Sequence, residues 1–134
     1  MVKNTILILI LNAILISSIL SKKTKEFTSL TKYLNGLNEN NVVFLGVELE
    51  RNFLRQEKYK NLYNYRGILK KNGISWNFHS MNRADVSKFD AEAILALILG
   101  AFRAERFNQG VIIEFYKNNS IYKWLKRLKE IDES

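Results

Sequence analysis

Apolar residues recur at intervals of three and four along much of this chain, the spacing of one helical face. Phe27, Leu30, Leu34 and Leu37 mark a first helix that Gly36 terminates. A polar linker, Asn38-Glu39-Asn40-Asn41, leads to the apolar run 42–49, whose pattern fits a short strand as well as the start of a helix. Tyr59, Leu62, Tyr63, Tyr65, Ile68 and Leu69 predict a helix within 57–72, capped at Asn72-Gly73. The competing reading is a hairpin that turns at Asn72-Gly73 and returns through Trp76 and Phe78; the helix is favoured.

The clearest element runs over about 88–107. Ser87 and Asp90 have the Ser-x-x-acid spacing that satisfies exposed amide donors at a helix start. Between Ala91 and Phe102 the segment is apolar almost all round, with Asp90 and Glu92 at the positive end of the helix dipole and Arg103 and Arg106 at the negative end. Such a helix belongs at the buried centre of a domain. Two shorter helices follow, one carrying Val111, Ile112, Phe115 and Tyr116, the other Ile121, Trp124, Leu125, Leu128 and Ile131. Asn118-Asn119-Ser120 separates them, with Ser120 as the expected cap, and the last helix leaves Lys123, Lys126, Arg127, Lys129 and Glu130 for the outside. The expected fold is mainly α: a compact multi-helix domain around the helix at about 88–107.

Composition sharpens this picture mostly by exclusion. The 134 residues are 47% apolar, enough for one ordinary core. No proline interrupts the helices. The absence of cysteine removes disulfides, thiolate metal sites and a cysteine nucleophile. The formal charge of +8 is unevenly placed: residues 1–25 hold Lys3, Lys22, Lys23 and Lys25 and no acid, so the other 17 basic and 13 acidic residues leave +4.

Residues 5–20 carry no charge, follow Lys3 and precede Ser21-Lys22-Lys23, an arrangement like a signal or an anchor. As a helix they would extend about 24 Å at ~1.5 Å per residue, short of a hydrocarbon core of roughly 30 Å. The small-x-small pattern for signal cleavage is poor at Ser18 and Leu20. As an anchor, the lysines on its C-terminal side would place the domain in the cytoplasm; a cytoplasmic or secreted protein is the alternative, with the run buried in the fold, cleaved, or an upstream extension from an early start codon. The chain therefore divides into a signal- or anchor-like segment, 1–23, and a helical domain, 24–134.

The C-terminal third resembles a small bacterial and phage domain family of unknown function. The resemblance rests on Arg103-Ala104-Glu105-Arg106-Phe107-Asn108-Gln109-Gly110, an Arg-x-x-Arg-Phe-x-x-Gly signature after a long apolar helix, and on the Leu-x-Arg-Leu end at Leu125, Arg127 and Leu128. The family often carries an Asp-Trp pair after a helix-ending glycine, where this chain has Ser75-Trp76 after Gly73, without the acid. The likeness covers roughly residues 59–131. It implies an all-helical fold and no activity.

The chemistry-bearing residues are few. Arg103 and Arg106, one turn apart, are candidates to line a basic surface with Lys117, Lys123 and Arg127 that holds phosphates; alternatively the two arginines close the C-terminus of the long helix and pair with Glu105, Glu114 or Asp85. Phe107 and Gly110 read as a helix-to-helix corner, with an aromatic plug and a backbone position of unusual torsion. Trp76, Phe78 and His79 form an aromatic loop that either stacks on a partner or folds over the core. His79, the single histidine, lacks any His-x-x-x-His, Glu-x-x-His or Gly-x-Ser-x-Gly surroundings, so no catalytic, metal or cofactor site is expected. The function expected from these residues is that of a non-enzymatic interaction module, a regulator or inhibitor from a phage or mobile element. It binds a protein or nucleic-acid partner through Arg103, Arg106, Lys123, Arg127 and Trp76. The rivals are a membrane-anchored protein with a basic cytosolic domain and, more remotely, an enzyme with Asp85, Asp90 and Glu105 around His79.

Overall fold

Polar residues between the apolar runs decide where each helix starts and stops. The structure, a computed structural model, describes residues 5, 8–10 and 25–134. Helix α1 (Thr28–Thr31) tightens into a 3-10 turn over Lys32–Leu34 and ends before Gly36, whose φ of +125° suits a residue without a Cβ. The linker after it is ordered by its own amides: Asn38 Oδ1 accepts from the Asn40 and Asn41 backbone N–H groups, and Asn41 Oδ1 accepts from the Asn38 N–H at 2.9 Å. The ambiguous run 42–49 is helical, as α2 (Phe44–Leu49). It widens into a π-helical turn over Glu50–Leu54, and a 3-10 segment over Glu57–Asn64 follows, broken at Tyr59.

Helix α3 (Tyr65–Lys71) ends as expected at Asn72-Gly73, with Gly73 at φ +78° and the Asn72 side-chain amide donating to the Ile68 carbonyl at 2.8 Å. This excludes the hairpin reading. Helix α4 (Phe78–Arg83) is capped by Asn77, whose Oδ1 accepts the Ser80 N–H.

The central helix is α5 (Ala91–Glu105), shorter at both ends than the 88–107 expected. Asp90, not Ser87, is its cap: the Asp90 carboxylate accepts the Ala93 N–H at 2.9 Å. Ser87 sits one turn too early, with its own N–H given to Asp85. Every residue from Ala93 to Ala101 is buried, because α2, α3, helix α6 (Val111–Lys117) and the last helix, α7 (Ser120–Glu133), surround α5. Helix α7 (Ser120–Glu133) closes the fold. Ser120 does not cap it: Asn119 holds the entry in a left-handed conformation at φ +63°, and the buried Ser120 hydroxyl donates to Asn82 Oδ1.

An aromatic ladder joins α4, α6 and α7, from Phe78 to Phe115 at 4.7 Å between centroids and on to Trp124 at 5.2 Å. Asp132 near the end of α7 accepts the Phe27 N–H at 3.0 Å, fastening the last helix to the first. Among the described residues there is no strand, and the fold is mainly α around one buried helix. The apolar segment 5–20, read as anchor or signal, lies mostly outside the described residues. Among those described, no helix is long and apolar enough to cross a membrane.

Candidate partner-binding surface

The five residues singled out for binding fall at two ends of α5. Arg103 and Arg106 occupy its last turn and C-cap. Arg127 lies beside the other end, where its Nε donates to the Phe89 carbonyl at 2.9 Å, and Lys123 is one turn before it on α7. Because α5 has 15 residues, a rise of ~1.5 Å per residue separates the two groups by about 20 Å. They do not form one basic surface. Lys117, the other residue considered with them, pairs with Glu39 at 3.7 Å.

Neither arginine makes the ion pairs with Glu105, Glu114 or Asp85 considered above. Arg103 reaches across to Glu50 at 3.5 Å, while Arg106 is exposed and has no ion pair among the described residues. Glu105 has another task. Gly110, at φ +97°, opens α6 and has no side chain with which to cap it. The Glu105 carboxylate accepts the Gly110 N–H at 2.5 Å and the Ile112 N–H at 3.1 Å in its place. The corner expected at 107–110 is therefore real, and it is pinned from both sides.

The aromatic plug is not. Phe107 is 82% exposed, and its ring lies nearly perpendicular to that of Trp76 at 6.3 Å between centroids. Trp76 itself is half-buried, held by its indole N–H on the Gly100 carbonyl at 2.8 Å. Gly100 leaves room for this, since a Cβ there would stand 3.3 Å from both Trp76 Cδ1 and Met81 Cε. Arg66 covers the indole face at 3.9 Å, and the Tyr65 ring packs against it in a T-shaped arrangement at 5.5 Å between centroids. Arg66, Trp76 and Phe107 thus form a fixed shelf whose outermost ring is offered to solvent.

Roughly a quarter turn around α5, a groove of about 310 Å³ runs between α2 and the same end of the helix. Val43, Val47 and Phe102 line it together with Arg103 and Arg106. Val43, Phe44 and Val47 are each about half exposed. Phe107, Arg66 and these α2 residues were not among the candidates from sequence. The one available signal was in the run 42–49: it is apolar on two faces, and a helix there cannot bury both. Val42, Leu45 and Leu49 take the core.

His79 faces a cation rather than a carboxylate, its Nε2 lying 2.7 Å from Arg83 Nη1. A guanidinium only donates, so Nε2 is the acceptor in this contact. Among the described residues no three acidic, histidine or cysteine side chains gather as metal ligands would. What fold and surface define is a mainly helical domain with an open aromatic and arginine-bearing face. No protein-family model, curated protein or solved structure matches the chain.

Proposed function

We propose that this protein is a non-enzymatic helical interaction module that docks a protein partner on the C-terminal end of α5. One observation carries the reading: Phe107 stands 82% exposed on a corner that the Glu105 hydrogen bonds hold in place. Burying such a ring is worth about 1.5–3 kcal/mol, and the fold leaves that gain to another molecule. Its neighbours support the same partner class. Trp, Arg and large apolar side chains in a fixed arrangement are the usual anchors of protein interfaces, and a rigid loop keeps the ordering cost of association low.

The test is site-specific photo-cross-linking in cells. A photoreactive phenylalanine analogue at position 107 is expected to give a discrete protein adduct, and the same group at the exposed Lys60 none. The absence of an adduct at 107, or the same adduct at both positions, refutes the reading.

A second reading, tethering of the module to a membrane through residues 5–20, is favoured by Ile8, Leu9 and Ile10. All three are more than half exposed, and none belongs to the domain core. The lysines after the segment would then set the domain on the cytoplasmic side. The full chain is expected to sediment with membranes and its Leu9→Asp, Ile10→Asp variant to stay in solution; a soluble wild-type chain refutes tethering.

A further inference from the structure

The opposite end of α5 differs in chemistry. Two open clefts of about 450 and 410 Å³ lie side by side there and share Arg83, Ala84 and Asp85. Meeting at these shared residues, they are taken together as a trough from the end of α3, past α4, to α7. Its cations are Arg83, Lys123, Lys126 and Arg127, and its acids are Asp85 and Glu130.

The cations are arranged in two ways. Arg127 is fixed by the Phe89 carbonyl and Arg83 by His79, whereas Lys123 and Lys126 have no ion pair among the described residues. The acids are partly engaged already. Glu130 lies 3.5 Å from Arg127, and Asp85 accepts the Ser87 N–H at 3.1 Å. None of the large apolar side chains exposed on the domain lines this trough.

We infer that the α4–α7 trough is a sequence-independent seat for a nucleic-acid phosphate backbone. A protein partner would want exposed apolar anchors, which the Phe107 end has; in this trough the large apolar lining residues, Ile74, Val86 and Phe89, are buried or half-buried. A phosphodiester chain needs cations and draws its affinity from released counterions. The spacing fits as well: a strand presents one phosphate per ~3.4 Å of axis, so the rise of about 6 Å from Lys123 to Arg127 spans two. Arg83 then contacts the strand farther along the trough. The inference is independent of the protein-docking reading, which uses other residues.

The experiment is fluorescence anisotropy of the full chain with labelled 20-nucleotide single-stranded and duplex DNA between 50 and 200 mM salt. Four contacts predict a log–log salt slope near −3 for the single strand and somewhat steeper for the duplex. Lys123→Ala with Lys126→Ala is expected to weaken binding at least ~10-fold at 50 mM salt and to flatten the slope by about 1.5 to 2. Both lysines are exposed and unpaired, so the variant should keep the wild-type melting temperature. Arg103→Ala with Arg106→Ala is expected to bind as wild type. Absence of DNA binding, loss that follows Arg103 and Arg106 instead, or binding to phosphatidylserine vesicles in place of DNA overturns the inference.

Discussion

Removing the Glu105 carboxylate tests how the corner before α6 is held and whether that rigidity matters. In Glu105→Ala the Gly110 and Ile112 N–H groups lose their acceptor. Both bonds go to a charged group in a partly buried position, and after discounting for water each is worth about 1 kcal/mol. The lost carboxylate at the positive end of α6 adds a few tenths, and the better helix propensity of alanine returns a similar amount. The expected loss is therefore about 2 kcal/mol, or about 8 °C in melting temperature for a domain of this size. Glu105→Gln keeps one acceptor oxygen and should lose about half as much. Urea unfolding followed by circular dichroism at 222 nm measures both, with an unchanged m-value as the check that only stability has moved. A loss below ~0.5 kcal/mol for the alanine variant, or equal losses for the two, refutes the capping role. If the corner also orders Phe107 for its partner, cross-linking from position 107 should weaken in Glu105→Ala even well below its melting temperature.

Phe107→Ala should leave stability within ~0.5 kcal/mol of wild type, since so exposed a ring contributes little to folding, yet abolish capture of the cross-linked partner; a destabilisation of 2 kcal/mol or more in urea titration would show that the ring is structural. Trp124, 1% exposed and packed against the Phe115 ring, should cost about 3–5 kcal/mol when replaced by alanine, read from the same titration. Asp132 concerns pH. Burial pushes its carboxyl above the ordinary aspartate range, against the lowering effect of the hydrogen bonds from Phe27 and Glu26. The folded state then binds more protons than the unfolded state across the interval between the ordinary value and the raised one, so this group's contribution to stability falls as pH rises through it. Asp132→Asn keeps an acceptor for the Phe27 N–H and removes the titration; its stability relative to wild type should rise over that acidic interval and then level off. A difference that stays flat with pH contradicts the assignment.

The fold follows from patterns that need no tertiary information. Ala93–Phe102 carries no polar side chain on any side, so only a central position can bury it, and the residues before the helix matter less than the one that meets the first free amides. That is why a capping spacing at Ser87 and Asp90 gave a start three residues early: Asp85 takes the Ser87 N–H and turns the chain before the helix begins. The helix predicted within 57–72 is α-helical only over Tyr65–Lys71, after a 3-10 segment over Glu57–Asn64, but its end at Asn72-Gly73 holds because the local signal, Asn-Gly after an apolar face, is also the tertiary outcome. The proposed binding surface was harder to read. Arg103 and Arg127 look equivalent in a list of cations, and only the packing of α7 along α5 sends them to different ends. Phe107 is followed by Asn108-Gln109-Gly110 in a turn, and an aromatic there points inward or outward according to what Trp76 has already filled.

The separation of the two ends has a consequence for mechanism. Helix α5 is buried from Ala93 to Ala101, so on the two proposed readings a ligand at Arg83, Lys123 and Lys126 and a partner at Phe107 would sit about 20 Å apart on elements packed against the same core. Simultaneous occupation then needs no rearrangement, and each site should bind with the affinity it has alone. Coupling requires two arrangements of a shared element, and a core helix enclosed by α2, α3, α6 and α7 offers none that both ends bias. The mode of action best suited to this architecture is bridging, in which holding one molecule raises the local concentration of the other. Allosteric control of one end by the other is the outcome it disfavours, and equal DNA affinity with and without a bound protein partner is the corresponding expectation.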